Sequence, residues 1–92
     1  MTKSVHVRIQ GKVQGVWYRA WTEQTARQFD LSGWVRNCRD GTVEALFSGE
    51  EGKVDGMLAE CWKGPEMALV TSVDTEECSP PKEAGFGVRP DA

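Results

Sequence analysis

One antiparallel sheet with two helices on a single face, in the chain order β-α-β-β-α-β, is the fold class this sequence predicts. Three observations predict it. The spacing of apolar residues alternates between the two-residue period of a strand and the 3.6-residue period of a helix, and does so twice. Asp40-Gly41, the strongest turn signal in the chain, stands between two short alternating runs. Ninety-two residues, 39% of them apolar, suffice for one small core. Together these give an α+β sandwich of the ferredoxin-like plan, expected as a single domain over residues 1–92 with a short extra C-terminal strand.

The elements follow in order. From Ser4 to Gln10, Val5, Val7 and Ile9 alternate with His6, Arg8 and Gln10, a half-buried strand with His6 on its outer face. A glycine-flanked turn, Gly11 to Val16, leads to a helix from about Trp17 to Asp30. Tyr18, Thr22, Ala26 and Phe29 form its apolar stripe. After Gly33, Trp34 to Asn37 reads as a short strand, and Thr42 to Ser48 as its hairpin partner with Val43, Ala45 and Phe47 on one face. Val54, Met57, Leu58 and Cys61 mark a second helix, Glu51 to Lys63, stopped by Gly64-Pro65. Gly56 inside it costs about 1 kcal/mol. Leu69 to Thr75 is a fourth strand. A loop with Pro80-Pro81 runs to Gly85, and Phe86 to Arg89 is the closing strand. All four tryptophans are expected in or against the core.

Composition narrows the function. No run approaches 18 apolar residues, and Met1-Thr2-Lys3-Ser4 leads straight into a strand without a signal-peptide core. Three cysteines, Cys38, Cys61 and Cys78, make neither a disulfide framework nor a zinc knuckle, so a reducing, cytoplasmic setting is expected. The formal charge is −3, which disfavours a long polyanion. Charge is unevenly spread: residues 1–40 hold seven Lys and Arg against three acidic groups, and residues 41–92 four against eleven. The first half can therefore attract a small anion. The expected partners are small molecules, with no nucleic acid and no membrane, and the expected state is a monomer.

Two features carry chemistry. Gly11, Lys12, Val13, Gln14, Gly15, Val16, Trp17, Tyr18 and Arg19 join a strand to a helix. Glycines permit positive φ and let successive amides turn inward, which makes an anion nest. The helix start adds unpaired amides and its dipole, and Arg19 adds a planar fork of donors suited to phosphate oxygens. The spacing is neither a Walker A motif nor a dinucleotide fingerprint. Taken alone it reads first as a tight strand–helix turn. The second feature is Asn37, at the end of strand two. With strand two beside strand one, its amide would approach the loop near Gly15 and could hold a water. Taken alone it reads first as a hairpin cap.

These residues resemble the acylphosphatases. Gly11-Lys12-Val13-Gln14-Gly15-Val16-Trp17-Tyr18-Arg19 is similar to that family's signature. Gly33-Trp34-Val35-Arg36-Asn37 followed by Asp40-Gly41-Thr42-Val43-Glu44 is similar to its second one. Gly64-Pro65 and Phe86-Gly87-Val88-Arg89 fit as well. Tyr18 stands where the family often has Phe, and Lys12 where Arg is common. The resemblance spans essentially the whole chain. It implies hydrolysis of carboxyl-phosphate mixed anhydrides to carboxylate and inorganic phosphate, with Arg19 binding the phosphoryl group and Asn37 positioning the attacking water.

The residues support direct, in-line attack of water on phosphorus. A carboxylate leaves readily, so no strong general acid is needed, and no cofactor or metal is called for. Cys38 has no base in view to make it a nucleophile. Trp17 and Trp21, beside the loop, could flank the acyl group. The alternative is a non-catalytic ferredoxin-like module binding an anion or RNA. Strand three, with Glu44, lacks the stacking motif of RNA-recognition domains.

Overall fold

A computed structural model describes all 92 residues. The elements are β1 (Thr2–Lys12), α1 (Tyr18–Gln28), β2 (Ser32–Asn37), β3 (Val43–Glu50), α2 (Glu51–Lys63), β4 (Leu69–Glu77) and β5 (Phe86–Val88). The strands form one sheet in the order β4-β1-β3-β2-β5. This corrects one expectation: β3 lies between β1 and β2, which are therefore not neighbours. A central β1 paired antiparallel to both β3 and β4 keeps each β-α-β crossover one strand wide.

Register explains the core. Val5 faces Phe47, Val7 faces Ala45 and Ile9 faces Val43 across β1 and β3, while Val35 faces Ala45 from β2. These rows lie on one face because side chains alternate along a strand. The helices cover them with Tyr18, Thr22 and Ala26 from α1 and Val54, Met57 and Cys61 from α2. α1 lies over β2 and β5, and α2 over β1, β3 and β4. Phe86 stacks on Phe47 at 5.6 Å between ring centroids.

The sheet is mixed rather than antiparallel, because β5 runs parallel to β2. The cause is where the chain leaves β4. The Cys78 amide donates to the Ser4 carbonyl, so the exit lies at the end of the sheet where β1 starts. β2 starts at that same end, being antiparallel to β3 as β1 is. A short loop across that end can only enter β5 alongside β2 in the same direction.

Helix ends explain two details. α1 stops because Asp30 turns left-handed (φ 60) and the Leu31 amide reaches back to the Ala26 carbonyl. Gly56, a cost by propensity alone, has a packing reason: a Cβ there would lie 2.9 Å from the Phe29 ring. The tryptophans depart from expectation. Only Trp21 packs against the core, while Trp17 and Trp62 are 63% and 53% exposed. The Arg36 and Arg89 guanidinium groups both lie over the Trp34 ring, 5.1 and 4.5 Å from its centre.

Candidate active site

α1 opens without internal compensation. Its N-cap, Trp17, is left-handed (φ 72) and offers no side-chain bond, and no acidic residue stands in the first turn. Trp21 is the first amide to reach back, to the Trp17 carbonyl, so the amides ahead of it have no intrahelical partner. Gly15, also at positive φ (73), turns the loop toward that helix start.

Gln14 ties the loop to the β2–β3 hairpin. Its Nε2 donates to the Cys38 carbonyl at 2.7 Å and the Thr42 carbonyl at 2.8 Å. The hairpin turn is itself closed by Asp40, whose carboxylate accepts from the Thr42 hydroxyl and amide. Those bonds hold the Asp40 carboxyl below its ordinary pKa. Tyr18 pins the other side. Its hydroxyl donates to the Cys61 carbonyl at 2.7 Å, and burial pushes its pKa well up. Gly64 makes room for it, since a Cβ there would come within 2.7 Å of the ring. Tyr18 is thus a packing residue whose hydroxyl is spoken for. Burial likewise lifts the Cys61 thiol to about 12.

Between these anchors lies a cleft of about 450 Å³ lined by Gly15, Trp17, Arg19, Asn37 and Val88 among others. Asn37 pairs with Val43, which pairs with Ile9, so it occupies the last row of the helix-covered face. Its side-chain Oδ1 is buried and has no hydrogen-bond partner. Arg19 Nη1 meets Asp91 Oδ1 at 3.0 Å. The chain end reaches that position by continuing along β2: the Arg89 amide donates to the Val35 carbonyl and the Ala92 amide to the Asn37 carbonyl.

The cleft brings together Val13, Gly15, Trp17, Tyr18, Arg19 and Asn37 from the expected set. Gly11, Lys12, Gln14 and Val16 lie outside it. Gly11 and Lys12 belong to β1, and Gly11 sits at a register shift opposite Val70. A Cβ there would stand 2.1 Å from the Leu69 carbonyl oxygen, so its conformation serves strand approach. Val16 packs against the core. Trp21 does the same, tilted on Tyr18 with ring centres 5.2 Å apart, and does not line the cleft. Asp91, Val88 and Glu23 border or reach the site without local sequence signals; only the fold carries them there. A larger hollow of about 730 Å³, between Trp34 and the loop before β5, contains none of the expected site residues.

The sheet's outer face holds the charges. Glu44 receives Arg36 Nε at 2.6 Å and lies 2.5 Å from His6 Nε2, with Arg8 alongside. Burial alone would raise its pKa, but the bonds from Arg36 and His6 outweigh that and hold it low. His6 is engaged there, and no cluster of three or more His, Cys, Asp or Glu side chains could hold a metal.

Fold and cleft define a class: a two-helix α+β sandwich whose cleft brings unpaired helix-start amides together with a guanidinium and a partnerless amide oxygen. Comparison with known proteins narrows it. The acylphosphatase family model matches residues 5–88. An acylphosphatase of Rhodospirillum rubrum is 51% identical over 88 residues, covering 96% of this chain and 97% of that protein. The structure of an acylphosphatase from Coxiella burnetii superposes with a TM-score of 0.92 at 35% identity, over 96% of this chain and 93% of the other. The Bacillus subtilis acylphosphatase gives 0.91 at 29% identity, over 97% and 99%. This chain belongs to the acylphosphatase family. It is a hydrolase of acyl phosphates, and nothing in these comparisons favours the RNA-binding alternative.

Proposed function

We propose that the phosphoryl group of the acyl phosphate seats at the start of α1, held by the amides around Gly15 to Arg19 and by the Arg19 fork. Water held at Asn37 then attacks phosphorus in line, the carboxylate departs with the electrons of the broken P–O bond, and both protons of the water end on the phosphate product. The observation that carries this reading is the Asn37 Oδ1: a buried acceptor without a partner, in the cleft that Gly15 and Arg19 share. A buried unpaired acceptor costs about 1–3 kcal/mol, so its retention calls for a ligand that answers it. In this reading the ligand is a water that donates to Oδ1 and attacks phosphorus through its oxygen.

Charge decides the rest. The reaction gathers negative charge on the equatorial oxygens, and donors fixed in advance stabilise it without reorganising. Arg19 touches Asp91 through one nitrogen. The planar guanidinium has further N–H groups for a phosphoryl oxygen pair. The seat demands no acid for the leaving group, because a carboxylate is stable as it leaves. We read the 92 residues as one working unit, a cytoplasmic monomer. No helix is long and apolar enough to cross a membrane.

The test is phosphate release from acetyl phosphate by wild type, Arg19→Ala, Arg19→Lys and Asn37→Ala. Arg19→Ala abolishes turnover, and Arg19→Lys does not restore it, because a point charge cannot replace the fork. Wild-type activity in Arg19→Lys overturns the seat.

A further inference from the structure

Trp17 is the feature that phosphoryl binding leaves unexplained. Its side chain is 63% exposed and lines the cleft together with Arg19 and Asn37. Its backbone stands at φ 72, ψ 18. A bulky residue in that region is a genuine outlier, and such conformations collect at ligand sites. Packing does not account for it, because the ring lies outside the core cluster and makes no cap. Nor does the turn require a ring: Gly15, two residues earlier, takes nearly the same φ without a side chain. Val88, 44% exposed, lines the same cleft from β5.

The substrate has two ends. Its phosphoryl oxygens belong with the helix start and Arg19, and a short mixed anhydride must then leave its acyl group within reach of the same cleft's walls. Two of those walls are exposed apolar side chains, and the larger is the indole. We propose that Trp17 is a specificity-determining residue that receives the acyl group and selects aromatic acyl phosphates over acetyl phosphate. The inference rests on the phosphoryl seat proposed above. An indole face against an aryl ring gains from area and from ring geometry, whereas a single methyl covers little of it.

The experiment measures kcat/KM for benzoyl phosphate and for acetyl phosphate in wild type, Trp17→Gly and Trp17→Phe, with thermal unfolding of each. Trp17→Gly lowers kcat/KM for benzoyl phosphate roughly three- to tenfold, mostly through KM. Whatever the change does to acetyl phosphate through the shared phosphoryl seat, the ratio of benzoyl to acetyl kcat/KM falls about threefold or more, and the unfolding midpoint stays or rises, because glycine takes positive φ freely. Trp17→Phe keeps most of the benzoyl preference. An equal fall for both substrates, or a lowered midpoint, overturns the proposal and makes Trp17 a structural residue. An unchanged ratio with acetyl phosphate still hydrolysed overturns it alone. If Arg19→Ala hydrolyses acetyl phosphate as wild type does, the seat itself fails, and the proposal with it.

Discussion

Asn37 is held at the end of β2 with an acceptor that no protein group satisfies. A purely structural position would not keep that cost, so the side chain separates two kinds of consequence. Asn37→Ala lowers kcat about 10²–10³-fold, the usual effect of removing one preorganised polar group from a reacting centre. KM moves little, and the unfolding midpoint stays or rises because the orphan acceptor is gone. Steady-state kinetics beside thermal melts check both halves; a large KM rise with kcat intact would assign Asn37 to binding instead. At this scale the sequence was readable where residue type limits chemistry. Arg19 and Asn37 could be singled out because a fork of donors and an amide have few equivalents. Asp91 could not, because a carboxylate near a chain end has no pattern, and its partner lies 72 positions away. The orphan state of Asn37 was equally hidden, since it depends on what β3 and the chain end leave around it.

Among elements, the strand–turn–helix unit places the helix start, and its two glycines have different work. Gly11 at φ 123 crowds the β4 backbone, while Gly15 at φ 73 has open space around its missing Cβ. Gly11→Ala therefore destabilises by about 3 kcal/mol or more, since conformational strain and backbone overlap add. Gly15→Ala costs only about 1 kcal/mol, the left-handed penalty for a Cβ. Urea unfolding of the two variants gives this ranking; equal losses would contradict it. Both helices and their apolar stripes follow directly from period, and α2 has the expected bounds. Topology was harder. Alternation gives a strand two faces but not its neighbours, so the insertion of β3 between β1 and β2 lay outside local pattern. The parallel course of β5 did too, because it depends on the end of the sheet from which β4 departs. Asn37 nevertheless reaches the Gly15 loop, by way of the Gln14 bonds to the hairpin carbonyls.

The whole molecule joins an acidic chain to the anion seat proposed at the α1 start. The excess basic charge of the first half supplies Arg19, and the acidic second half returns Asp91 to it across the sheet edge. That pair is partly exposed, so it contributes little stability. Its effect falls on the substrate: Asp91→Asn lowers KM for acetyl phosphate about two- to threefold, with kcat nearly unchanged, by removing one like charge beside the phosphoryl seat. A fall in kcat would show instead that Asp91 orients the fork. On the outer face, Glu44 links three strands, and its side chain is only 11% exposed. Its carboxyl titrates below 4.5 in the fold, so its stabilisation is complete above that pH and lost as pH falls through the folded value. Glu44→Gln is therefore less stable than wild type near pH 7, by about 1–2 kcal/mol, and the gap narrows at a pH below the folded value. Urea melts at both pH values check it; a constant gap would remove Glu44 from the acid response. The composition allowed a small anion partner, and the proposed seat puts it beside Arg19.

Water attack on phosphorus at the α1 start is tested most directly by isotope. Acetyl phosphate is hydrolysed by the wild-type enzyme in ¹⁸O-enriched water, the spontaneous reaction is subtracted, and both products are analysed. The label is predicted in inorganic phosphate and absent from acetate. Label in acetate would mean attack at the carbonyl carbon, and would contradict the roles given to Arg19 and Asn37.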